Sequence, residues 1–339
     1  MKILTFINQN QSQRLGLLVN GNIYDVNSSH ASLPNNMLEF LNSGEKGMDE
    51  MRNLERLILE GKIESTSLSY DEKILTAPIT NPTSCRDGYA FRQHVASARR
   101  NRGVPMIPEF DEYPIFYFTN HNAIQGPGEI WCMPDHFQKL DFELEVAVVL
   151  GKKGRNIKAE NADEYIAGYM IMNDMSARTL QMEEMLLNLG PAKGKDFSTV
   201  IGPYMVTPDE LEKYKVPAKN NHVGNNYALE MTCRVNGIEV SKGSVADMDW
   251  TFAEIIERCA YGVDVLPGDV IGSGTVGTGC FLELNGTGLL NNKDFKPQWL
   301  QPNDVVEMEI TGLGLLSNTI KAVETDFSIL AKKKKPLSI

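Results

Sequence analysis

The chain lacks the cysteine spacing of a disulfide framework or a zinc ribbon. Its five cysteines (Cys85, Cys132, Cys233, Cys259 and Cys280) are scattered over 339 residues, and no two form a C-x-x-C pair. An odd number of widely spaced thiols is typical of proteins in a reducing compartment. The apolar run at the N-terminus is also too short for a signal peptide, so we expect a cytoplasmic location.

Long apolar runs and an excess of positive charge are missing too. No stretch is long enough to span a membrane, which argues against a membrane protein. The 33 Lys and Arg residues are outnumbered by 44 Asp and Glu, giving a net charge of −11. We therefore expect neither a membrane nor a nucleic acid as a partner.

Two glutamates interrupt an otherwise apolar run from Phe142 to Leu150. Because side chains alternate across a strand, Glu143 and Glu145 point to the same face. Both faces consist otherwise of apolar residues, so the two carboxylates are expected to be buried side by side. Buried neighbouring anions need a shared proton or a bound cation. The other possibility is an edge strand with a solvated face.

A third acid, Asp174, ends the apolar segment 169–173 and supplies another oxygen donor. Sites built only from oxygen ligands favour Mg²⁺, Ca²⁺ or Mn²⁺ over zinc. Taken alone, an acid at the position of Asp174 is more often a turn or capping residue.

The segment 86–94, RDGYAFRQH, holds an acid, a phenol, two guanidinium groups and an imidazole. These polar neighbours favour His94 as a general base, because a histidine titrates near neutral pH. A structural histidine is the alternative.

Two glycine-rich segments resemble phosphate-binding loops without matching them fully. Around Lys195, GPAKGKDF is one residue short of a P-loop and lacks the Ser or Thr after the lysine. Lys195 is better suited to stabilising an oxyanion, unless it lies on the surface. Segment 272–277 matches G-x-G-x-x-G, but residues 280–284 read as a strand where a dinucleotide site needs a helix. Glu283, within that predicted strand, could orient a histidine or be simply exposed.

The periodicity predicts an α+β protein that is mainly β, with a small N-terminal α/β module at 1–75 and a larger domain at 76–339. Asn20-Gly21 and Asn236-Gly237 predict hairpin turns, and Ser176 is expected to cap a helix that runs to about Asn188. Few β-α-β units are present, so we expect a mixed β-roll or sandwich with peripheral helices instead of a doubly wound parallel sheet.

Five motifs in this order resemble the fumarylacetoacetate hydrolase family over residues 76–330. They are the segment containing Asp87 and His94, Glu143-Leu144-Glu145, the N-D-x-S-x-R string at 173–178 with Gln181 after it, the G-K-x-F loop at 194–197 and Ser273-Gly274-Thr275. The resemblance implies a β-roll of that family's type, a homodimer and a divalent cation, Mg²⁺, Mn²⁺ or Ca²⁺.

The resemblance also implies roles for individual residues. The metal ligands would be Asp87, Glu143, Glu145 and Asp174. The base that activates water would be His94, oriented by Glu283. The residues in contact with substrate would be Tyr89, Arg178, Gln181, Lys195 and Thr275.

The chain departs from the fumarylacetoacetases at one substrate position. Gly103 stands where they have an arginine, nine residues after the histidine, and Arg99, Arg100 or Arg102 would have to compensate. The residue matched to a second substrate tyrosine is Tyr117.

The expected activity is the metal-dependent hydrolysis of a carbon–carbon bond in a β-diketone acid, such as fumarylacetoacetate or an acylpyruvate, as in tyrosine catabolism. The same cation and enolate chemistry would serve a 2-oxo-acid decarboxylase, dehydratase or isomerase, which is the first alternative. A non-catalytic small-molecule binder with a structural metal is the second.

Overall fold

The computed structural model describes residues 1–63 and 67–333; segments 64–66 and 334–339 fall within the predicted N-terminal and C-terminal units. In the described part, the strands are β1 (Lys2–Ile7), β2 (Gln13–Val19), β3 (Asn22–Asp25), β4 (Ser67–Ser69), β5 (Ser84–Gly88), β6 (Phe116–Thr119), β7 (Ile124–Gln125), β8 (Gly128–Cys132), β9 (Leu140–Asp141), β10 (Leu144–Leu150), β11 (Gly154–Arg155), β12 (Ile166–Asp174), β13 (Ser176–Ala177), β14 (Thr199–Val206), β15 (Lys215–Val216), β16 (Asn226–Tyr227), β17 (Glu230–Val235), β18 (Ile238–Ser244), β19 (Asp264–Val265), β20 (Asp269–Gly272), β21 (Val305–Ile310) and β22 (Gly314–Ala322).

The α-helices of the same part are mostly short and lie between strands. They are α1 (Val26–Ser29), α2 (Met37–Asn42), α3 (Gly44–Leu59), α4 (Arg92–Asn101), α5 (Ala159–Ala162), α6 (Arg178–Met185), α7 (Pro208–Leu211), α8 (Phe252–Ala260) and α9 (Phe281–Asn291). No helix in residues 1–63 and 67–333 is both long and apolar enough to cross a membrane.

The largest sheet runs β4-β3-β2-β1-β14-β12-β10-β20-β5-β6, with β7 added beside β14. Most neighbours are antiparallel, while β20 pairs with β5 in parallel. A second sheet has the order β18-β17-β21-β22-β8. The mainly β, mixed architecture predicted from the sequence is confirmed, and this topology is not that of a doubly wound sheet.

Strand β10 lies at the centre of the molecule with both faces buried, as its sequence predicts. Leu144, Val146 and Val148 belong to the apolar cluster that includes Met231 and Met308 of the second sheet. Ala147 and Val149 belong to the cluster on the opposite face, with residues of α2 and α3. The large sheet is therefore covered by the second sheet on one side and by N-terminal helices on the other.

The N-terminal segment shares its sheet with the rest of the chain. Strand β1 pairs with β14, with Lys2 opposite Val206 and Ile3 opposite Met205. Residues of both segments also meet in one apolar cluster. The division into 1–75 and 76–339 stays a proposal, and the two units it names are joined by continuous hydrogen bonding.

Both predicted hairpin turns are confirmed. Asn20 and Gly21 have φ of 50° and 76°, and Asn236 and Gly237 have φ of 54° and 77°. Positive φ at both central residues is the geometry that Asn-Gly favours, because glycine has no Cβ to clash in the left-handed region.

Two local predictions are wrong. Ser176 lies in the short strand β13, and α6 begins two residues later without a side-chain cap; the Ser176 hydroxyl instead donates to the Asp174 carbonyl. Residues 281–284 form the first turn of α9 and not a strand. The reason given against a dinucleotide site, a strand after the glycines, therefore fails.

Candidate active site

Four carboxylates converge at one end of the large sheet. Glu145 lies in β10, and Glu143 directly precedes that strand. Asp174 ends β12, and Asp87 lies in β5. Strand β10 is hydrogen-bonded to β12 and β20, and β20 to β5, so these acids arrive from neighbouring strands. One oxygen from each lies within 4.8 Å of the others, and all four side chains are buried. The convergence expected from the sequence is present.

The electrostatics of these acids is dominated by burial and mutual repulsion. Burial, followed by the charge of Asp174, raises the pKa of Asp87. Burial and the neighbouring Asp87 raise the pKa of Glu145 well above its ordinary range. Both shifts favour a proton retained on this pair of acids in the metal-free protein. The cluster thus holds fewer negative charges than it has carboxylates when no divalent cation is present.

Two buried cations neutralise Glu143. Lys195 Nζ lies 2.5 Å from Glu143 Oε2 and 2.7 Å from Asp174 Oδ2. Arg178 donates to Glu143 Oε1 at 2.8 Å. Burial alone would raise the pKa of Glu143, but the charges of Lys195 and Arg178 outweigh it and lower the pKa to about 2. Lys195 is thus a buried ion-pair partner of two proposed ligands and not a surface lysine.

The donor set fits a hard divalent cation. Glu145 Oε1 and Asp174 Oδ1 are buried and have no hydrogen-bond partner among the described residues. An unpaired buried carboxylate oxygen costs free energy unless something binds it. Carboxylate oxygens alone suit Mg²⁺, Mn²⁺ or Ca²⁺. Asp87, Glu143, Glu145 and Asp174 are the residues that would hold such an ion.

A buried histidine–glutamate pair adjoins the carboxylates. His94, in the first turn of α4, has Nδ1 2.7 Å from Glu283 Oε2, which belongs to the first turn of α9. The backbone N–H of Thr278 also donates to Glu283 Oε2. A ring nitrogen of His94 lies within 4.8 Å of a Glu143 oxygen. A glutamate on Nδ1 leaves Nε2 available as a base, which is the pairing that the sequence suggested.

The remaining proposed substrate residues surround this pair and the carboxylates. The Tyr89 ring meets His94 edge-on, with ring centroids 6.0 Å apart. Thr275 is buried in the loop after β20. Gln181 accepts a hydrogen bond from Arg178 at 2.9 Å. Tyr117, matched to the second substrate tyrosine, donates to Asp174 Oδ2 at 2.5 Å, so its hydroxyl already has a partner in the site.

The arginines considered as replacements for the one missing at Gly103 bond elsewhere. Arg100 donates to Thr287 and Arg102 to the Ala98 carbonyl, and Arg99 donates to the Pro105 carbonyl. No described hydrogen bond joins any of the three to the carboxylate cluster.

Sequence reasoning missed Asp141. This fully buried carboxylate accepts hydrogen bonds from Arg178 Nε at 2.8 Å and from the backbone N–H groups of Phe281 and Leu282 at 2.8 and 2.9 Å. It thereby joins the start of α9 to the arginine on Glu143. The sequence contained a signal for this role. Asp141 precedes Glu143 by two residues, so in an extended segment it lies on the same face as Glu143 and Glu145.

The loop at 272–277 supplies backbone donors to the acids. The Gly274 N–H donates to Asp87 Oδ1 at 3.0 Å and to Glu145 Oε2 at 3.1 Å. Gly274 has φ of 79°, and a Cβ there would lie 2.6 Å from the Gly88 carbonyl oxygen. Although a strand precedes and a helix follows this loop, its amide faces carboxylates, which would repel a phosphate.

Comparison with known proteins places this site in a family. Residues 83–321 match the family model described as the fumarylacetoacetate (FAA) hydrolase C-terminal domain. The chain is 32% identical over 322 residues to the mitochondrial oxaloacetate tautomerase fahd2 of Xenopus laevis. This alignment covers 91% of the present chain and 86% of the Xenopus protein.

Solved structures agree in fold. A fumarylacetoacetate hydrolase from the psychrophile Exiguobacterium antarcticum superposes with a TM-score of 0.68 at 26% identity, covering 95% of this chain and 100% of that one. A maleylpyruvate hydrolase from Sphingobium sp. SYK-6, in complex with manganese(II) and pyruvate, has a TM-score of 0.67 at 18% identity, covering 95% and 99%. The chain belongs to the fumarylacetoacetate hydrolase family.

Proposed function

We propose that this protein is a metal-dependent enzyme that interconverts the enol and keto forms of a 2-oxo dicarboxylic acid such as oxaloacetate. The carrying observation is the buried cluster of four acids with two unpartnered oxygens, set beside the His94–Glu283 pair. The similarity to an oxaloacetate tautomerase over nine-tenths of the chain supports this choice among the family's reactions.

The reaction needs a base next to a site that stabilises an enolate. A bound divalent cation supplies Lewis-acid stabilisation of substrate oxygens. His94 takes a proton from the carbon next to the 2-oxo group, while Glu283 holds the ring and stabilises the imidazolium that forms. The His94 imidazolium then gives up this proton and the enolate oxygen takes up a proton to complete the enol hydroxyl; the reverse sequence restores the ketone, so no atom is gained or lost. The ammonium of Lys195 offsets the developing negative charge.

The second candidate is the hydrolysis of a carbon–carbon bond in a β-diketone acid such as fumarylacetoacetate or an acylpyruvate. It rests on the same His94–Glu283 pair, which is suited to taking a proton from water. Hydroxide would add to the carbonyl, and the carbon–carbon bond would then break, with the leaving carbanion protonated to the second product. A homodimer, a cytoplasmic location and a role in tyrosine catabolism remain predictions.

The assay that separates these candidates uses protein stripped with EDTA and then given Mg²⁺ or Mn²⁺. Tautomerase activity is followed as loss of the ultraviolet band of enol-oxaloacetate, with keto-oxaloacetate as the sole product. Chromatography of parallel reactions with fumarylacetoacetate and acylpyruvates detects cleavage, and carbon dioxide release detects decarboxylation. The proposal requires metal-dependent loss of the enol band. Cleavage in its place would favour the second candidate.

His94→Ala tests the base. General base catalysis contributes about 10²–10⁴-fold, so we expect a loss of kcat of that size with Mg²⁺ affinity little changed. Turnover within a few-fold of the wild type would contradict the role of His94.

Glu145→Gln tests the metal site. We expect calorimetry to show weakened Mg²⁺ or Mn²⁺ binding, because the variant loses a charged ligand. A cation at 100 times its Kd stabilises the fold by about 2.7 kcal/mol, and this gain should shrink. The matched control is Asp163→Asn, since Asp163 also has a buried oxygen without a partner among the described residues but is not in the four-acid cluster. Equal metal affinity in the wild type and Glu145→Gln would refute the assignment.

A further inference from the structure

We propose a second cation site beside the four carboxylates, formed by His94, Glu143 and Cys280 and selective for a thiophilic divalent cation such as Zn²⁺. One ligand atom of each residue lies within 4.8 Å of the other two, and all three side chains are buried. Imidazole, carboxylate and thiolate are the ligands that zinc prefers. Three such ligands leave the fourth tetrahedral position open.

The environment of His94 matches that of a metal-binding histidine. Its Nδ1 is paired with Glu283 Oε2 at 2.7 Å, so Nε2 is the nitrogen left to bind an ion. Histidine ligands of zinc almost always donate their other ring N–H to a carboxylate or carbonyl, which fixes the tautomer and raises the basicity of the ligand. The carboxylate that would orient His94 as a ligand is therefore already bonded to it.

The thiol of Cys280 lies at the start of α9 and is fully buried. Burial, followed by the charge of Asp141, raises its pKa, so the sulfur carries a proton in the metal-free protein. Binding breaks the S–H bond and forms a sulfur–metal bond, and the proton passes to solvent. Zinc bonds of 2.0–2.3 Å place tetrahedral ligand atoms about 3.5 Å apart, so side-chain shifts of about 1 Å close the site.

The charge of this interior accommodates two divalent ions. Its buried carboxylates are Asp87, Asp141, Glu143, Glu145, Asp174 and Glu283, and the permanently charged cations bonded to them are Lys195 and Arg178. Six acids against two cations leave an excess of four negative charges when all are ionised. One hard divalent ion neutralises two of these four charges. A second divalent ion adds two positive charges and the Cys280 thiolate one negative charge, so one negative charge remains.

Glu143 is the point where the two sites meet. Its two oxygens face Lys195 and Arg178, whereas the unpartnered oxygens belong to Glu145 and Asp174. Each oxygen of Glu143 has a further lone pair, so this carboxylate can bridge the hard ion and the thiophilic ion while keeping its bonds to Lys195 and Arg178. Filling the second site occupies Nε2 of His94, so Zn²⁺ should inhibit; this consequence, unlike binding, rests on the proposed function.

The test of binding uses Co²⁺ as a coloured substitute for zinc, added to protein saturated with Mg²⁺. A thiolate–Co²⁺ charge-transfer band should appear in the near ultraviolet, saturate at one equivalent and disappear when Zn²⁺ is added. The band should be lost in Cys280→Ser and Cys280→Ala and kept in Cys259→Ser, a control at another buried cysteine. Competition with a chromophoric chelator should show Zn²⁺ affinity reduced at least about tenfold in both Cys280 variants.

Several results would overturn this site. Absence of a thiolate band from the wild type decides the matter without any variant. Survival of the band in Cys280→Ala or His94→Ala also overturns the site. Circular dichroism and the thermal shift caused by Mg²⁺ verify that the variants are folded. If Co²⁺ binds as described but no metal supports tautomerisation, the proposed function fails and this site stands. If tautomerisation is observed without the thiolate band, this site fails and the function stands.

Discussion

Lys195 is a buried cation held between two carboxylates of the site. Its ammonium is buried and bonded to two carboxylates, and despite burial the charges of Asp174 and Glu143 raise its pKa above the ordinary value. It therefore remains a cation at every physiological pH. A fixed positive charge here reduces the repulsion among the acids before any metal binds, and it stays available to an anionic substrate.

At the residue scale, His136 gives a prediction for stability against pH. Burial, followed by the charge of Lys193, lowers its pKa from the ordinary value of 6.5 to about 4. Its Nδ1 accepts a hydrogen bond from the Met133 N–H, which protonation would break. Between about pH 6.5 and pH 4 the unfolded chain thus binds more protons, so the free energy of unfolding falls as the pH falls. The contribution is at most about 3 kcal/mol.

Urea unfolding of the wild type and His136→Gln at about pH 7 and about pH 4.5 measures this contribution. The wild type should lose more stability than the variant on acidification, and the difference isolates His136 from the acids that titrate in the same window. Replacement of the exposed His121 by Gln is the control for the substitution itself. Parallel losses in the wild type and His136→Gln would contradict the prediction.

At the scale of elements, Asp141 joins two helices. It accepts backbone hydrogen bonds at the N-terminus of α9, which carries Glu283, and it pairs with Arg178 at the start of α6. The base and the carboxylate cluster are thereby positioned by one side chain. A carboxylate at a helix N-terminus is also favoured by the helix dipole.

We expect Asp141→Asn to lower both stability and metal affinity. The buried guanidinium of Arg178 would lose one of its two carboxylates, and breaking a buried ion pair costs about 3–5 kcal/mol. Arg178 would then rely on Glu143 alone, so Glu143 would be less available to a metal ion. Urea unfolding gives the first quantity and calorimetric titration with Mn²⁺ the second.

Asp135→Asn is the matched control for this effect. Asp135 is also buried and accepts hydrogen bonds from the Ser328 hydroxyl and the Ile329 N–H, both at 2.7 Å. Its replacement should lower stability and leave metal affinity unchanged. If both variants bind Mn²⁺ like the wild type, Asp141 has a structural role only.

Strand β10 and helix α9 show which features the sequence could predict and which it could not. Alternation along β10 places Glu143 and Glu145 on one face without any knowledge of the fold, and Asn-Gly pairs predict their hairpins because the turn is local. Residues 281–284 have an apolar, strand-like pattern, yet they form a helix. The N–H groups that begin this helix are bonded by Asp141, 140 residues away, which no local pattern reveals. The contact of Lys195 with two site acids is likewise set by tertiary structure.

At the scale of the whole molecule, the continuous sheet predicts one cooperative unfolding transition. Leu54, in α3, is fully buried, and its apolar cluster includes Val149 of the central strand. Leu54→Ala should cost about 2–5 kcal/mol. The three tryptophans, Trp131, Trp250 and Trp299, all lie beyond residue 75. Tryptophan fluorescence in urea should therefore report a lower midpoint even though the substitution is in the N-terminal segment.

The control for this last prediction lies on the same helix. Leu59 is 59% exposed, so Leu59→Ala should leave the fluorescence midpoint within error, since little apolar surface is lost from the interior. If residues 1–75 unfolded as an independent unit, Leu54→Ala would shift a circular dichroism transition and leave the fluorescence transition in place. Coincident shifts by both probes are expected, because β1 and β14 are paired and the core beneath them is shared.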